Sequence, residues 1–409
     1  MFKKLSQNII IYGGTNALKS LVPILMLPIL TSYLSIEDFG VLSLAETTIL
    51  FITPFILLNI NGAINVEYFK VEHDRLKEYI TNALIISLIS FLIVFVLFFI
   101  FQNYLASLMH LENSFLLLIV FFASFRVVSS VVLGLYQSRE EPVRFAIYTL
   151  SQTILDFILS YLLVVTYHFG YMGRLEGVYI SFFIFSIIGM VLLYKMNYLS
   201  SITFKYTKDI LSFGVPLIPH AVSATVMAMS DRYFISYYVG NDQVGLYTIA
   251  YQLSALMLLV SMSVNQAWSP MAFRLLKDKN IKQVFKISIL IVMLFTLLGI
   301  SIYLLRDTLF YILIDEKFYV AKEFFGYLLL GFIFQSFYFL VVNVLFFEKK
   351  TKTLASITIL GAFLNIVLNY YFILYFGVIG VAYATAITWF VFLVVVSIQN
   401  YVIIRKHYL

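Results

Sequence analysis

The chain contains no cysteine, which excludes disulfides, thiolate metal sites and cysteine nucleophiles. Charge is scarce as well: Asp, Glu, Lys and Arg make up only 12% of its 409 residues, against about 25% in a soluble domain. No Walker lysine motif, no HExxH helix and no GxSxG elbow occurs, so ATP hydrolysis, zinc peptidase chemistry and serine hydrolysis lack their usual signatures. The five histidines, at 73, 110, 168, 220 and 407, are scattered and form no metal pair. No cofactor or metal is expected.

What fills the space is apolar. Hydrophobic residues account for 62% of the chain, with 41 Phe and 30 Tyr, and the mean hydropathy is +0.96. No ordinary globular core needs that much apolar surface, so a bilayer must solvate much of the chain. Runs of about 20 apolar residues, the length a spanning helix needs, lie near 8–34, 39–66, 79–101, 114–136, 144–167, 174–197, 210–239, 243–269, 283–304, 323–347, 353–375 and 378–404. These runs are too long for barrel strands, so the expected fold class is all-α and integral to a membrane, with about twelve spanning helices. The first run contains Lys19 and reaches Leu34 without a small-residue cleavage site, which reads as a retained helix and not a signal peptide.

The basic residues sit in short loops. One side of the membrane would hold Lys3, Lys4, Lys70, Arg75, Lys77, Arg139, Arg144, Lys195, Lys205, Lys208, Arg274, Lys277, Lys279, Lys282, Lys349, Lys350, Lys352, Arg405 and Lys406, nineteen in all. The other would hold four, Arg174, Arg306, Lys317 and Lys322. Such asymmetry marks the first side as cytoplasmic and puts both termini there. It also explains the net charge of +6 without a nucleic-acid groove. No loop is long enough to form a soluble catalytic domain.

The chain resembles itself at an offset near half its length. Tyr33-Leu-Ser-Ile-Glu-Asp-Phe-Gly40 lies over Tyr238-Val-Gly-Asn-Asp-Gln-Val-Gly245, and Ala45 over Ala250. Farther on, Gly170-Tyr-Met-Gly173 lies over Gly377-Val-Ile-Gly380. Both matched turns fall on the same side, which predicts two six-helix bundles, 1–200 and 201–409, as parallel repeats around a central cavity. Pro23 and Pro28 in the first helix, and Pro216 and Pro219 in the seventh, interrupt matched helices and permit bends there.

Polar groups at membrane depth are costly and normally face a bundle interior or a watery cavity. Asn8, Tyr12, Asn16 and Lys19 share a stripe of the first helix, continued by Pro23. Glu46, Thr53 and Asn61 share a face of the second. Tyr148, Gln152, Asp156 and Ser160 recur every four residues in the fifth. His220, Ser223 and Asp231 align in the seventh, Tyr247, Tyr251, Ser254, Ser261 and Asn265 in the eighth, and Asn365 and Asn369 in the eleventh. For the Asn, Ser and Tyr positions interhelical hydrogen bonding and a cavity lining both stand as readings. Lys19, Glu46, Arg126, Asp156 and Asp231 are the cavity candidates. Arg174 lies near a helix end, where its side chain can reach the interface; Arg232 has Asp231 beside it. Lys19 and Arg126, with Arg232, suit an anionic group such as phosphate or pyrophosphate. Carboxylates beside them suit a proton or Na⁺.

The segments Leu211-Ser-Phe-Gly-Val-Pro-Leu-Ile-Pro-His220, Asp231-Arg-Tyr-Phe-Ile235 and Gly245-Leu-Tyr-Thr-Ile-Ala-Tyr251 resemble those of the O-antigen and capsule flippases. So do Asn8 through Gly14, Leu27-Pro28-Ile-Leu-Thr31 and Phe39-Gly40. Those proteins belong to the multidrug/oligosaccharidyl-lipid/polysaccharide superfamily, and the likeness covers nearly the whole chain. It implies a MATE-like architecture of two bundles in a V. It implies passage of an undecaprenyl-diphosphate-linked oligosaccharide from the inner to the outer leaflet of a bacterial cytoplasmic membrane. By this resemblance Lys19, Arg126 and Arg232, with Asn16, Tyr247 and Tyr251, are candidate substrate-binding residues. Asp231, Glu46 and Asp156 are candidates for ion coupling to H⁺ or Na⁺. A polysaccharide polymerase and a chain-length regulator are the partners it suggests, alongside membrane lipid. The lack of room for two further helices argues against the peptidoglycan-precursor branch.

Two other classes compete. A MATE-type cation or drug antiporter would want a mainly acidic cavity, against which Lys19 and Arg126 count. A membrane polysaccharide polymerase or acyltransferase would want a large outer loop or a catalytic His or Arg cluster. The missing cysteines make the topology simple to test. With Asp242→Cys or Asp278→Cys as the sole thiol, a membrane-impermeant maleimide should label the first in intact cells and the second only after permeabilisation. The reverse pattern would invert the orientation.

Overall fold

The computed structural model describes the backbone of residues 2–109, 112–348 and 350–407. The side chains of Lys3, Lys4, Asn8, His110, His220, Lys349, Lys352 and His407 lie outside the described residues. Among those described there is no strand; the chain is a succession of helices.

The helices long and apolar enough to cross a membrane are α1 (Ile11–Tyr33), α2 (Ile36–Leu57), α3 (His73–Ile100), α4 (Phe115–Ser138), α5 (Pro142–Thr166) and α6 (Gly170–Lys195). They continue with α7 (from Thr207), α8 (Asn241–Lys277), α9 (Ile281–Leu304) and α10 (Glu316–Phe347). An eleventh run, Thr351–His407, is 57 residues long. At about 1.5 Å per residue it would reach roughly 85 Å if straight, far beyond a hydrocarbon core of about 30 Å. It is not straight. Gly377 stands at φ 62°, ψ −148°, a conformation open essentially to glycine alone. On either side the chain folds back: Asn365 Nδ2 donates to Thr388 Oγ1 at 3.3 Å. In one straight helix those residues would stand roughly 35 Å apart. A Cβ on Gly361 would collide with the Phe392 ring, and one on Gly380 with the Phe372 carbonyl. The run is therefore an antiparallel hairpin of two spans, α11 (351–376) and α12 (378–407), which brings the number to twelve. The protein is a multi-pass membrane protein.

The same turn occurs between α5 and α6. Gly170 stands at φ 57°, and a Cβ on Gly173 would come within 2.9 Å of the Leu163 carbonyl carbon. Gly170 and Gly173 thus do in one repeat what Gly377 and Gly380 do in the other. The remaining matched turn agrees in position: α2 opens at Ile36 and α8 at Asn241. Its chemistry differs. Ser35 caps α2 in a reciprocal box with Asp38, whereas Gly240 precedes α8 at φ 127°.

Several expected runs prove discontinuous. The run expected over 39–66 breaks after α2, where Leu58 and Asn59 take φ of 49° and 50° before a short helix, Ile60–Tyr68. Pro23 and Pro28 do not break α1, which continues through both to Tyr33. Pro216 does act, at a tightened turn over Val215–Leu217 within α7, which then runs on as Ile218–Tyr238.

Packing divides the chain into two compact units, Met1–Thr225 and Val226–Leu409, meeting inside α7. The connection after α6 belongs to the first unit because it is tied to the start of α3. Tyr79 donates to Asp209 at 2.8 Å, the Tyr206 amide donates to Asn82 Oδ1 at 2.9 Å, its hydroxyl donates to Glu78 at 3.0 Å, and the Ser200 amide donates to Thr81 Oγ1 at 2.9 Å. Gly214 lies so close to the Leu58 carbonyl that no Cβ would fit.

Burial is inverted relative to a soluble protein. The most apolar spans, α3 and α9, are only 17% and 11% buried, while α2, α8 and α10 are 56% or more buried. Lipid tails, not protein, cover the greasiest helices, so apolarity here marks the periphery. Gly377→Ala should cost about 1–3 kcal/mol through backbone strain and lower the melting temperature of the purified protein. Gly14→Ala, in a helix with nothing near its Cβ, should leave it unchanged or raise it.

Candidate functional site

In the first unit α1, α5 and α6 enclose a recess of about 420 Å³ lined by Lys19, Val22, Pro23, Gln152, Thr153, Asp156, Ser181 and Phe182. The four-residue spacing of Gln152 and Asp156 puts both on one face of α5. Pro23 has no N–H for the Lys19 carbonyl, so that carbonyl loses its intrahelical partner. By helix rise Asp156 lies roughly 21 Å from the start of α5 and roughly 15 Å from its end. The recess therefore stands near mid-depth, where an unneutralised charge is most expensive.

Lys19 is exposed to this space, with Arg126 and Asp156 as its electrostatic neighbours. Asn16, one turn earlier in α1, is also exposed. Arg126 follows an irregular turn in α4, where the freed Phe125 carbonyl accepts from Ser186 at 2.6 Å. Its guanidinium stacks 4.9 Å over the Phe182 ring, a cation–π contact, and its buried Nε has no hydrogen-bond partner. Tyr179, stacked on Phe122 at 4.3 Å, has Arg126, Glu46 and Arg174 around it. Gln152 Nε2 is a second buried donor without a partner. The structure thus gathers Lys19, Arg126, Glu46 and Asp156, from four helices, into one region.

Arg174 does not reach for the interface as its helix-end position suggested. It is 6% exposed; its Nη1 bonds Asp156 Oδ1 at 2.5 Å and Ser160 Oγ at 2.7 Å, while Ser160 donates to the same carboxylate oxygen at 3.0 Å. The reason is local. Gly173 and Gly177 flank it, and a Cβ on Gly177 would come within 2.5 Å of Ser160 Oγ. Two glycines four apart let α6 press against α5, and the arginine between them is carried inward. Sequence reading missed this residue; the G-x-x-x-G frame around it was the available signal.

In the second unit the candidates form a separate, closed cluster. Asp231 and Arg232 are 3% and 2% exposed. Arg232 Nη1 donates to Asp231 Oδ1 at 2.7 Å, and Tyr247 donates to Oδ2 at 2.7 Å. Thr385 stands 3.3 Å from the same hydroxyl. The guanidinium lies 4.2 Å over the Tyr251 ring and 5.8 Å from that of Tyr247. In this structure Arg232, Tyr247 and Tyr251 spend their polar and aromatic surfaces on one another. Next to them Ser230 donates to Asn365, and Asn369 donates to both Ser230 and Asn365. Asn265, Ser269 and Asn343 form a third network. These amides and hydroxyls join helix to helix. Thr385 was not expected from the sequence, and a lone threonine in an apolar span carries no signal.

The family model described as polysaccharide biosynthesis protein matches residues 5–276, and the MatE model matches residues 216–371. "Lsg locus putative protein 1" of Haemophilus influenzae is 22% identical over 373 residues, 89% of this chain and 90% of that protein. An uncharacterized membrane protein of the same organism is 25% identical over 347 residues, 83% of each. Among solved structures, the lipid II flippase MurJ in an inward closed conformation superposes with a TM-score of 0.80 at 15% identity, covering 95% of this chain and 87% of that one. An inward-facing multidrug resistance MATE family transporter of the MOP superfamily gives 0.74 at 16% identity, covering 98% of both. At such identities the likeness establishes the fold.

Truncation at the closed cluster has a definite expectation. Asp231→Ala strands a buried guanidinium and should cost about 3–5 kcal/mol, whereas Asp231→Ala combined with Arg232→Leu should recover most of it. Thermal unfolding of the two variants in detergent checks this; equal losses would mean that the ion pair itself sustains the packing.

Proposed function

The chain belongs to the polysaccharide biosynthesis protein family, and from that premise we propose that it is a flippase. Its cargo would be an undecaprenyl-diphosphate-linked oligosaccharide repeat unit of an O-antigen, capsule or similar glycan. It would carry the unit from the inner to the outer leaflet of the bacterial cytoplasmic membrane by alternating access of two six-helix halves. The observation that carries this reading is the mid-depth recess lined by Lys19 and Phe182, with Arg126 stacked on the Phe182 ring. Two cations at membrane depth need an anion, and a diphosphate crossing the bilayer needs cations; each removes the other's cost of desolvation. Arginine and lysine together suit this cargo, one offering a planar fork and the other a point charge. An aromatic floor suits the sugar or prenyl group that follows.

The loop-charge asymmetry supports both termini in the cytoplasm. Asp231, Glu46 and Asp156 are the acidic groups through which H⁺ or Na⁺ would couple. A polymerase and a chain-length regulator would take over the delivered unit. One observation favours a second reading: the MatE model matches 216–371, which suits a cation-coupled drug antiporter. The basic recess weighs against it, since a cationic drug would meet Lys19 and Arg126.

Deletion of the gene separates these readings. The flippase should leave single lipid-linked repeat units inside the cell and remove the surface glycan. Lys19→Ala and Arg126→Ala, expressed in that strain, should reach the membrane at normal level and restore about a tenth or less of export, since each removes a charge-assisted contact of about 1.5–3 kcal/mol. Normal surface glycan with altered drug sensitivity would support the antiporter instead. Repeat units that cross but stay unpolymerised would point to an enzyme.

A further inference from the structure

The recess has three cations on or beside it, one carboxylate in its lining and a second, Glu46, beside it. Lys19 and Asp156 both line it, so Asp156 is the natural counter-ion for Lys19. It is not used that way. Both hydrogen bonds to Asp156 fall on Oδ1 and come from the wall behind it, from Arg174 and from Ser160. Among the described residues no ion pair joins Lys19 to Asp156; that carboxylate acts on it at longer range, alongside the like charge of Arg126.

The arrangement is built into the backbone. Arg174 can reach Asp156 only because Gly173 and Gly177 allow α6 to touch α5 at Leu163 and Ser160. The guanidinium is then buried, and a buried guanidinium without its carboxylate would be strongly destabilising. Asp156 is held by that cost in its bond to Arg174, out of ion-pair contact with Lys19. If Arg174 lost its charge, the same carboxylate would find its nearest compensation in Lys19, and the two would neutralise each other.

We infer that Arg174 is a positioning residue: by fixing Asp156 against Ser160, it keeps that carboxylate off Lys19 and leaves the Lys19 ammonium to the anionic group of the cargo. The inference rests on the diphosphate reading of the recess. Arg174 touches no cargo in this scheme; it sets which of two cations the lining carboxylate neutralises.

The test uses the full chain in lipid nanodiscs, titrated with undecaprenyl diphosphate, with undecaprenol as the uncharged control. Wild type should prefer the diphosphate, and Lys19→Ala should lose the preference. Arg174→Gln should weaken diphosphate binding about tenfold or more, the value of one charge-assisted contact. Arg174→Lys, which keeps the charge, should stay within about threefold of wild type. The decisive variant combines Arg174→Gln with Asp156→Asn. With the lining carboxylate neutral, the preference for diphosphate over undecaprenol should return toward the wild-type value, whereas loss of a merely structural arginine would weaken both ligands alike and leave that preference unmoved. Should Arg174→Gln fail to fold, the neutral double variant carries the test alone. Binding near wild type then supports the inference, and binding as weak as that of Lys19→Ala overturns it. Arg174→Gln binding as well as wild type, or a double variant no better than Arg174→Gln, also overturns it while leaving the diphosphate reading standing. A wild type with no preference for diphosphate over undecaprenol removes that reading, and the inference with it.

Discussion

A charge inside hydrocarbon must be neutralised where it stands, because no water is there to do it. Most of what distinguishes the two units follows from how each meets that requirement. In the second unit Arg232 and Asp231 are neighbours in the chain, and Tyr247 and Tyr251 complete the shell around them. Every charge is balanced and the cluster is shut. In the first unit the balance is incomplete. Asp156 neutralises Arg174, while Lys19 lines a recess and Arg126 stacks on Phe182 in its wall. A closed pair stabilises a fold; an open one invites a ligand. The two units thus treat buried charge differently, although the turn between α5 and α6 and the turn between α11 and α12 follow the same plan.

That plan is carried by small residues more than by large ones. With lipid as the solvent, apolar side chains gain little by packing on one another, so shape and hydrogen bonds decide which helices touch. Gly173 and Gly177 bring α6 to α5; Gly361 and Gly380 bring α12 to α11. Where the contact is close, polar groups bridge it, as Tyr148 does to Ser129 and to the Phe185 carbonyl. The many exposed Phe, Leu and Ile side chains of α3 and α9 specify nothing beyond contact with lipid.

What the sequence reveals divides along the same line. Apolar run length is a one-dimensional property, so the spans could be read directly, and Gly377 correctly split a run that is helical almost from end to end. Repeat matches at Gly170 and Gly377 were legible because a positive φ leaves a glycine behind. The four-residue stripe from Tyr148 to Ser160 was legible because it obeys the helix period. Arg174 was not, since its inward turn depends on a neighbouring helix that only the fold supplies. The break at Leu58 and Asn59 was hidden for a similar reason: Asn59 is a common left-handed residue but Leu58 is not, and the Gly214 backbone packed against the Leu58 carbonyl comes from far along the chain. Arg232, Tyr247 and Tyr251 were recognised as polar groups on helical faces, but periodicity says nothing of whether such groups meet a ligand or one another.

The tether between the α6–α7 connection and α3 bears on how the protein is made. Ser200, Tyr206, Asp209 and Gly214 complete contacts begun by residues 58–82. A ribosome that has finished six helices has therefore not finished the first unit. Its last contacts arrive only as the seventh helix emerges, so insertion of the second repeat begins before the first can settle. A chain divided at the end of α6 would part the first unit from the segment that completes it.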